Sequence, residues 1–232
     1  MKLYSRVLRK LKKIAGSYNI EPSKNINCTQ FEVDNWLISD FLVKKLIPVV
    51  GTHPYPIMEL SLMVAAVCRL KPNVIFEWGT NIGKSARIFY ETGKRFGIPL
   101  VIHSIDLPDD LEHQEHPRSR RGRMVRGYSG VALHQDDGLT KTIELYRLNP
   151  RGKVLIFIDG DHSYESVFRE LTDIIKEIPN AVILLHDTFY QSEESGYNIG
   201  PYKAIAEILA ANPGKYKVMS TSTGLPGMTL LY

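Results

Sequence analysis

The hydrophobic pattern of the chain alternates between two kinds of segment. Short runs of consecutive apolar residues predict buried strands at residues 74–78, 100–106, 131–134, 154–159 and 181–185. Segments with apolar residues three or four positions apart predict helices between them, at residues 84–96, 139–148 and 164–178. A helix at 201–209 and strands at 216–220 and 228–231 follow. This alternation predicts an α/β fold, with a mainly parallel seven-stranded sheet, an antiparallel C-terminal strand and helices on both faces.

The segment before the first strand divides into a cationic helix, a linker and two further helices. Residues 1–15 place apolar side chains opposite cationic ones, which fits a helix packed on the domain or a partner subunit, a membrane-surface helix or an organelle-targeting segment. Residues 16–30 are polar and turn-rich and predict a linker. Further helices are predicted from Trp36, Leu37, Phe41, Leu42 and Leu46, and from residues 57–70. We therefore predict a helical extension with a linker over residues 1–50 and one main domain over residues 51–232.

The net charge of +4 comes from the first segment. Residues 1–16 hold six cationic residues and no acid, and without them the net charge is −2. The chain beyond residue 16 has no cationic excess, which argues against a nucleic-acid partner. Two cysteines are too few for a disulfide framework and favour a reducing, cytoplasmic compartment. No apolar run reaches the length of a membrane span.

The first predicted strand ends in a glycine turn that leads into a helix. Glycines at 79 and 83 let the backbone approach a ligand, and the start of the helix supplies free N–H groups. The pattern is E-x-G-T-x-x-G rather than the G-x-G-x-x-G of dinucleotide-binding proteins. Glu77, just before the turn, would repel a diphosphate and attract an ammonium group. An ordinary strand-to-helix turn is the alternative interpretation.

An acidic residue stands at the carboxyl end of each of the five parallel strands. These residues are Glu77, Asp106, Asp136 with Asp137, Asp159 and Asp187. Ligands bind at that edge of an open parallel sheet, whereas helix capping readily explains only one or two of the acids. Asp106 lies ~20–30 residues beyond the glycine turn, as expected for an acid that accepts hydrogen bonds from ribose hydroxyls. NAD enzymes also have an acid at the position of Asp106. For Asp136, a turn formed by Asp-Asp-Gly is an adequate explanation without a ligand.

The most informative segments are I-D-G-D-H-S-Y-E at 158–165 and L-H-D-T at 185–188. They follow adjacent strands and therefore place Asp159, Asp161, His162, His186 and Asp187 around one small volume. Asp159 and Asp187 can hold a divalent ion such as Mg²⁺, which would orient an acceptor hydroxyl and lower its pKa. His162 can then accept the hydroxyl proton. In the alternative interpretation, Asp161 or Ser163 caps the next helix, and His162 is a polar residue whose hydrogen bonds are made within the protein.

Taken in order, these motifs resemble the class I S-adenosylmethionine-dependent methyltransferases. More narrowly, they resemble small-molecule O-methyltransferases, a group with sugar O-methyltransferases of antibiotic biosynthesis and proteins called cephalosporin hydroxylases. The resemblance covers about residues 55–232 and implies a Rossmann-like methyltransferase sheet. It also implies that S-adenosylmethionine is bound by Glu77, Gly79, Thr80, Gly83, Ser85, Asp106, Asp136, Asp137 and Asp159.

The resemblance further implies roles for the cluster after the fourth and fifth strands. In metal-dependent members, the acid ending strand four and an acidic pair ending strand five bind the ion, and a histidine three positions beyond the first acid is the base. Carried over, His162 and Asp159 are catalytic, and Asp159, His186 and Asp187 are the metal ligands. His186 departs from the acid of such members. Either His186 is itself a ligand or the site holds no metal.

Two segments are predicted to shape the acceptor pocket as lids, residues 107–130 and 191–200. The first carries Arg118, Arg120, Arg121, Arg123 and Arg126, which either bind an anionic acceptor or form a solvated face. Tyr55 and Glu59 can reach the pocket, but we assign them to a turn and to a helix N-terminus.

The predicted function is O-methylation of a small-molecule hydroxyl, with sugars as one candidate class and a homo-oligomer as the predicted assembly. Three alternatives stay open: an NAD-linked oxidoreductase, a non-catalytic binding protein, and a hydroxylase, which the name of some relatives suggests. The absent G-x-G-x-x-G and the acid before the turn count against the first. No typical two-histidine, one-carboxylate spacing supports the hydroxylase, although His162, His186 and Asp187 supply those residue types.

Overall fold

The computed structural model describes residues 21–23, 25, 27–111, 118–150, 152–190, 197–221 and 223–232. The predicted helix at residues 1–15 therefore lies outside the described residues, as do the first part of the predicted linker and parts of both predicted lids. Within the part of the chain that is described, no helix is both long and apolar enough to cross a membrane.

The described residues form one seven-stranded sheet, as predicted. Its strands are β1 (Val74–Trp78), β2 (Val101–Asp106), β3 (Val131–Gln135), β4 (Val154–Ile158), β5 (Val182–His186), β6 (Val218–Ser220) and β7 (Met228–Leu231). They lie in the order β3-β2-β1-β4-β5-β7-β6. The first five strands pair in parallel, and β7 runs antiparallel to both β5 and β6. The direction of winding reverses between β1 and β4, where an open α/β sheet leaves a crevice at its carboxyl edge.

The helices cover both faces of the sheet. They are α1 (Asn35–Phe41), continued by a π-helical turn (Leu42–Leu46) and α2 (Ile47–Val50), then α3 (Ile57–Leu70), α4 (Lys84–Phe96), α5 (Gly138–Leu148), α6 (Tyr164–Glu177) and α7 (Gly200–Ala211), with a short 3₁₀ turn at Arg118–Arg120. Helices α1 to α4 pack on one face and α5 to α7 on the other, around two separate apolar cores. From β1 onwards, the ends of the predicted elements agree with the observed ones within two residues, whereas the helix predicted from Trp36 to Leu46 continues to Val50.

Continuous apolar runs form β4 and β5 because both faces of the sheet are buried there. In β4, Leu155 and Phe157 belong to the core under α1 to α4, whereas Ile156 and Ile158 belong to the core under α5 to α7. Successive side chains of a strand point to opposite faces, so a strand covered on both sides needs an apolar residue at every position. The same arrangement fixes which residues reach the carboxyl edge.

The described part of the predicted N-terminal extension is packed on the domain. Asp34 caps α1 by accepting hydrogen bonds from the backbone N–H groups of Trp36 and Leu37. The buried stripe of this helical segment consists of Ile38, Phe41, Leu42 and Leu46. Trp36, predicted to be part of that stripe, is instead 83% exposed, because a residue two positions before Ile38 lies on another side of the helix.

The linker prediction holds for residues 27–30, which form no helix or strand, but this segment is tied to the domain. Arg69 of α3 donates hydrogen bonds to the backbone carbonyls of Asn25 and Cys28, each at 2.8 Å. Lys71 pairs with Glu21 at 2.6 Å. The described residues that precede α1 are therefore held against the C-terminal end of α3.

Candidate active site

The turn after β1 is pressed against the end of β4. Gly79 has a φ of +87°, and a Cβ atom added there would lie 2.1 Å from the backbone carbonyl oxygen of Asp159. The N–H of Asp159 donates to the carbonyl of Trp78 at 3.2 Å, and the N–H of Gly79 donates to that of Ile105 at 3.0 Å. Only glycine fits here, because both the backbone conformation and the space exclude a side chain.

A cavity of about 900 Å³ opens at this edge of the sheet, between the ends of β1 and β4. Its volume is in the range of small-molecule sites in proteins. Most of the predicted cofactor residues line it, namely Gly79, Thr80, Ser85, Asp106, Asp136, Asp137 and Asp159. Glu77 and Gly83 are not among the lining residues: Gly83 packs against Val125 and Gly122 at the start of α4.

Glu77 lies behind the cavity wall, fully buried. Ser85 donates to one of its carboxylate oxygens at 2.5 Å, and Ser104 donates to the other. Burial raises the pKa of Glu77 to about 7, in spite of these two hydrogen bonds. Thr80 is also buried and shares a hydrogen bond of 2.7 Å with Ser104. The hydroxyls of Thr80 and Ser85 therefore support Glu77 and the turn from within the protein.

Asp106 stands at the predicted position and is held by three donors. Its carboxylate accepts hydrogen bonds from the backbone N–H groups of Asn81 (3.2 Å) and Leu107 (3.0 Å) and from Nε of Arg121 (3.2 Å). Arg121 is only 6% exposed and also pairs with Asp109 at 2.9 Å. The predicted solvated face is therefore wrong for Arg121, while binding of an anionic acceptor stays a prediction. A buried guanidinium needs acidic partners, and Asp106 and Asp109 supply them.

The two acids after β3 have local roles. Asp137 caps α5, accepting a hydrogen bond of 2.8 Å from the N–H of Thr140. Asp136 accepts a hydrogen bond from the N–H of Asp137 at 2.8 Å and lies 3.3 Å from Nζ of Lys141. Both side chains line the cavity, but a cofactor contact from either stays a prediction.

Asp159 is the centre of the cluster that the sequence predicts. Oδ2 accepts a hydrogen bond from the hydroxyl of Tyr55 at 2.5 Å, and Oδ1 lies 2.9 Å from Nδ1 of His186. Burial opposes ionisation of Asp159, but the charge of His186, the nearby His162 and the hydrogen bonds from His186 and Tyr55 outweigh it. They hold the pKa of Asp159 well below its usual range. The assignment of Tyr55 to a turn alone is therefore incomplete, since its hydroxyl reaches the site.

His186 lies between two carboxylates. Its Nδ1 faces Asp159, and its Nε2 lies 3.0 Å from Oε2 of Glu59. Burial would lower the pKa of His186, but Asp159 and Glu59 outweigh this effect and raise the pKa to about 10. Glu59, assigned from the sequence to a helix N-terminus, is 2% exposed, and its other oxygen accepts the N–H of Gly227 at 2.8 Å. That assignment missed the contact, because its partners lie 127 and 168 residues away.

His162 is arranged differently from His186. Its Nδ1 lies 3.0 Å from Oδ2 of Asp187, whose other oxygen accepts a hydrogen bond from Tyr197. Within the described residues, Nε2 of His162 is buried without a hydrogen-bond partner, and the nearest acid, Asp159, is 3.5 Å away. Burial lowers the pKa of His162, but Asp159 and Asp187 together raise it above its ordinary value. One ring nitrogen is thus oriented by a carboxylate, and the other forms no hydrogen bond within the described residues.

The neighbours of His162 take the capping roles of the alternative interpretation. Ser163 caps α6, accepting a hydrogen bond from the N–H of Ser166 at 3.3 Å. Asp161 accepts the N–H of Ser163 at 2.9 Å. The motif D-G-D-H-S therefore combines a helix start with a site histidine, and Asp161 belongs to the helix start.

The predicted metal ligands come together. Asp159, His162, His186 and Asp187 each offer a ligand atom within 4.8 Å of the others. Carboxylate oxygens suit a hard ion such as Mg²⁺. Both ring nitrogens of His186 face carboxylates, so His186 offers a lone pair to a metal only if one of these contacts is given up. A metal role for Asp159, His186 and Asp187 stays a prediction.

Comparison with known protein families gives the family of the chain. The profile of the family described as rhamnosyl O-methyltransferase/CmcI matches residues 53–225, about three quarters of the sequence. The chain belongs to this family. The methyltransferase resemblance predicted from the strand-end motifs is thereby confirmed at the family level.

Curated relatives in the rhamnosyl O-methyltransferase/CmcI family are distant. The rhamnosyl O-methyltransferases of Mycobacterium tuberculosis and Mycobacterium bovis are 25% identical to this chain over 152 residues. The aligned segment covers 64% of this chain and 60% of each relative, so it spans less than two thirds of their length.

Solved structures of methyltransferases share the fold. A putative O-methyltransferase from Klebsiella pneumoniae aligns with a TM-score of 0.57 and 17% identity, covering 86% of this chain and 94% of that one. CalS11, a TDP-rhamnose 3'-O-methyltransferase of calicheamicin biosynthesis, aligns with a TM-score of 0.55 and 14% identity over 85% and 90% of the two chains. The SAH-bound Podospora anserina methyltransferase PaMTH1 aligns with a TM-score of 0.55 and 16% identity, covering 96% of this chain and 94% of that one. The predicted Rossmann-like methyltransferase fold is confirmed.

Proposed function

We propose that this protein transfers the methyl group of S-adenosylmethionine to a hydroxyl oxygen of a small molecule, with sugars as the acceptor class. Membership of the rhamnosyl O-methyltransferase/CmcI family supports the reaction. The names of the mycobacterial relatives and of CalS11 support a deoxysugar as the acceptor. The SAH bound to PaMTH1 supports the cofactor.

One observation carries the mechanism: the unpartnered Nε2 of His162 beside the oriented Nδ1. If Nδ1 carries the proton given to Asp187, then Nε2 holds a lone pair that can accept the proton of an acceptor hydroxyl. The oxygen forms its bond to the methyl carbon as the carbon–sulfur bond breaks, and the sulfonium becomes a neutral thioether. The proton remains on His162, whose positive charge Asp187 and Asp159 stabilise.

The cavity at the strand ends supports binding of the methyl donor. In this proposal, the backbone at Gly79 lies against the methionine part, the carboxylate of Asp106 accepts the ribose hydroxyls, and Asp136 contacts the adenine amino group. Asp106 is pre-oriented for this by Asn81, Leu107 and Arg121, so little ordering remains to be done on binding. Most of the rate enhancement would come from alignment of oxygen, methyl carbon and sulfur.

The rival functions find less support. An NAD-linked oxidoreductase needs a diphosphate site, and the turn after β1 has no second glycine at the spacing of a dinucleotide fingerprint. A hydroxylase with a two-histidine, one-carboxylate iron site would need a free nitrogen on His186, whose two nitrogens both face acids. A cytoplasmic location, a homo-oligomeric state and contact of residues 1–15 with a membrane surface stay predictions from the sequence.

Calorimetry and a transfer assay test the proposal. Purified protein should bind S-adenosylmethionine and SAH, and should not bind NAD. A panel of nucleotide-linked and free deoxysugars, incubated with S-adenosylmethionine labelled in the methyl group, should yield at least one labelled product that resists base, as an ether does and an ester does not. Binding of NAD without binding of S-adenosylmethionine would refute the proposed function.

A further inference from the structure

Glu59, His186 and Asp159 form a buried line across the carboxyl edge of the sheet. The imidazole of His186, at the end of β5, lies 3.0 Å from Glu59 of α3 on one side and 2.9 Å from Asp159 beyond β4 on the other. His186 is 4% exposed and Glu59 is 2% exposed. Tyr55 stacks edge-on against His186, with ring centroids 5.0 Å apart, and closes one side of the line.

With both carboxylates ionised, the line is satisfied only if the imidazole carries a proton on each nitrogen. Ionised carboxylates accept hydrogen bonds and donate none, so a neutral ring would point one lone pair at a carboxylate oxygen. That arrangement would leave a buried charge without a partner, which is costly. With both nitrogens protonated, every polar atom of the line has a complementary partner, including Oε1 of Glu59, which accepts the N–H of Gly227.

The same contacts use part of the accepting capacity of the oxygens that a divalent ion would need. Tyr55 and His186 each donate to one oxygen of Asp159, and Tyr197 and His162 each face one oxygen of Asp187. Mg²⁺ requires near-octahedral oxygen coordination, so it would compete with these donors for the carboxylate oxygens. It would also bring a second positive charge next to His186.

We infer that this site works without a bound divalent cation, and that His186, clamped by Glu59, supplies the fixed positive charge that orients Asp159 beside His162. His186 and Glu59 are positioning residues in this scheme, since they act through Asp159. The catalytic consequence rests on the proposed function. The charge arrangement and the absence of metal affinity can be tested without it.

The first experiment measures metal binding directly on the full-length chain, by electron paramagnetic resonance of Mn²⁺ after EDTA treatment. The wild-type protein should show no stoichiometric Mn²⁺ site. In His186→Asp, an acid replaces the clamped cation, so one site per chain should appear, with affinity at least about tenfold above wild type. The matched control is His134→Asp. His134 on β3 lies 3.0 Å from His103 on β2, so this variant also replaces one histidine of a pair by an acid, and it should not gain a site. One tight Mn²⁺ ion per wild-type chain would overturn the inference.

The second experiment needs no variant. In protein labelled with ¹⁵N at histidine, both nitrogens of His186 should show the chemical shifts of protonated imidazole at neutral pH. A neutral tautomer of His186 would overturn the inference. Calorimetric affinity for S-adenosylmethionine should be the same with Mg²⁺ as with EDTA, and tighter binding with Mg²⁺ would also overturn it. If S-adenosylmethionine fails to bind at all, the proposed function fails, while the Mn²⁺ and NMR results still decide the charge arrangement.

Discussion

Nδ1 of His162 lies 3.0 Å from Oδ2 of Asp187, while Nε2 of the same ring has no hydrogen-bond partner in the described part of the chain. His186, at the end of β5, instead has a carboxylate on each side, Asp159 at Nδ1 and Glu59 at Nε2. Two histidines in one site therefore have opposite capacities. His162 can gain a proton during a reaction, whereas His186 holds its protons in place.

Replacing His162 by alanine should remove the general base. We expect the rate of methyl transfer to fall by about 10²–10⁴-fold, the usual contribution of a positioned base. The affinity for S-adenosylmethionine should stay within a factor of a few, because the cofactor contacts proposed above come from other residues. Single-turnover transfer and calorimetry measure the two quantities. An unchanged rate would show that another group takes the proton.

Asp187→Asn tests the orientation of the base without changing its shape. An amide can donate to Nδ1 and favour the tautomer with its proton on Nε2, which cannot accept a hydroxyl proton. We expect a loss in kcat of up to about 10⁴-fold, as when the orienting acid of a catalytic histidine is made an amide. Asp173→Asn on α6, away from the cavity, is the control and should keep the wild-type rate.

The rate should depend on pH through His162. Asp159 and Asp187 raise its pKa above the ordinary value of 6.5 in spite of burial. Only the neutral ring accepts a proton, so kcat should fall as the pH drops through this raised pKa. Asp159→Asn removes one of the two negative charges that raise the pKa of His162, so the residual activity should persist to lower pH. A profile of log kcat against pH, flat on the acid side of neutrality in the wild type, would contradict this.

Protein stability should depend on pH through His186. Its pKa is raised from 6.5 to about 10, so the folded chain binds this proton more tightly than the unfolded chain. The resulting stabilisation is fully present below pH 6.5 and is lost as the pH rises through about 10. The difference in Tm between wild type and His186→Gln should therefore shrink from pH 6 to pH 10. A difference that stays constant over that range would refute the charged state of His186.

Gly79→Ala tests the contact between the first turn and the end of β4. Gly79 and Gly214 both have positive φ, +87° and +77°, but an added Cβ meets Asp159 in the first case and nothing within 4 Å in the second. We expect the free energy of unfolding to drop by at least about 2 kcal/mol more for Gly79→Ala than for Gly214→Ala. Denaturant melts of the two variants measure the difference. Equal losses would mean that the backbone conformation alone matters.

Much of the fold could be predicted because the central strands β1, β4 and β5 are covered on both faces. The apolar runs that contain Ile75, Phe157 and Leu184 are short, continuous and separated by helical periods, which is the pattern of a parallel sheet. The cluster of Asp159, His162, His186 and Asp187 could be predicted for the same reason. Adjacent parallel strands end at one edge, so residues just past β4 and β5 must meet there.

The remaining site residues could not be found from local periodicity. Glu59 reaches His186 over 127 residues, and Tyr55 reaches Asp159 over 104, from a turn and a helix that precede the sheet. Their approach depends on how α3 packs, which no short-range pattern encodes. One signal was present: Glu59 is the only carboxylate in the helix Ile57–Leu70, and an acid within such an apolar helix needs a buried partner. No comparable signal in the sequence distinguished Arg121 from the neighbouring arginines.

The hydrogen bond from the N–H of Gly227 to Glu59 joins residues 168 positions apart, one ahead of β1 and the other just before the final strand. During synthesis on the ribosome, β1 to β5 can pair before Gly227 emerges, but Glu59 gains this donor only when the segment that leads into β7 arrives. A nascent chain would therefore hold the five parallel strands with an unfinished site. Emergence of Gly227 would be the step that completes the surroundings of His186.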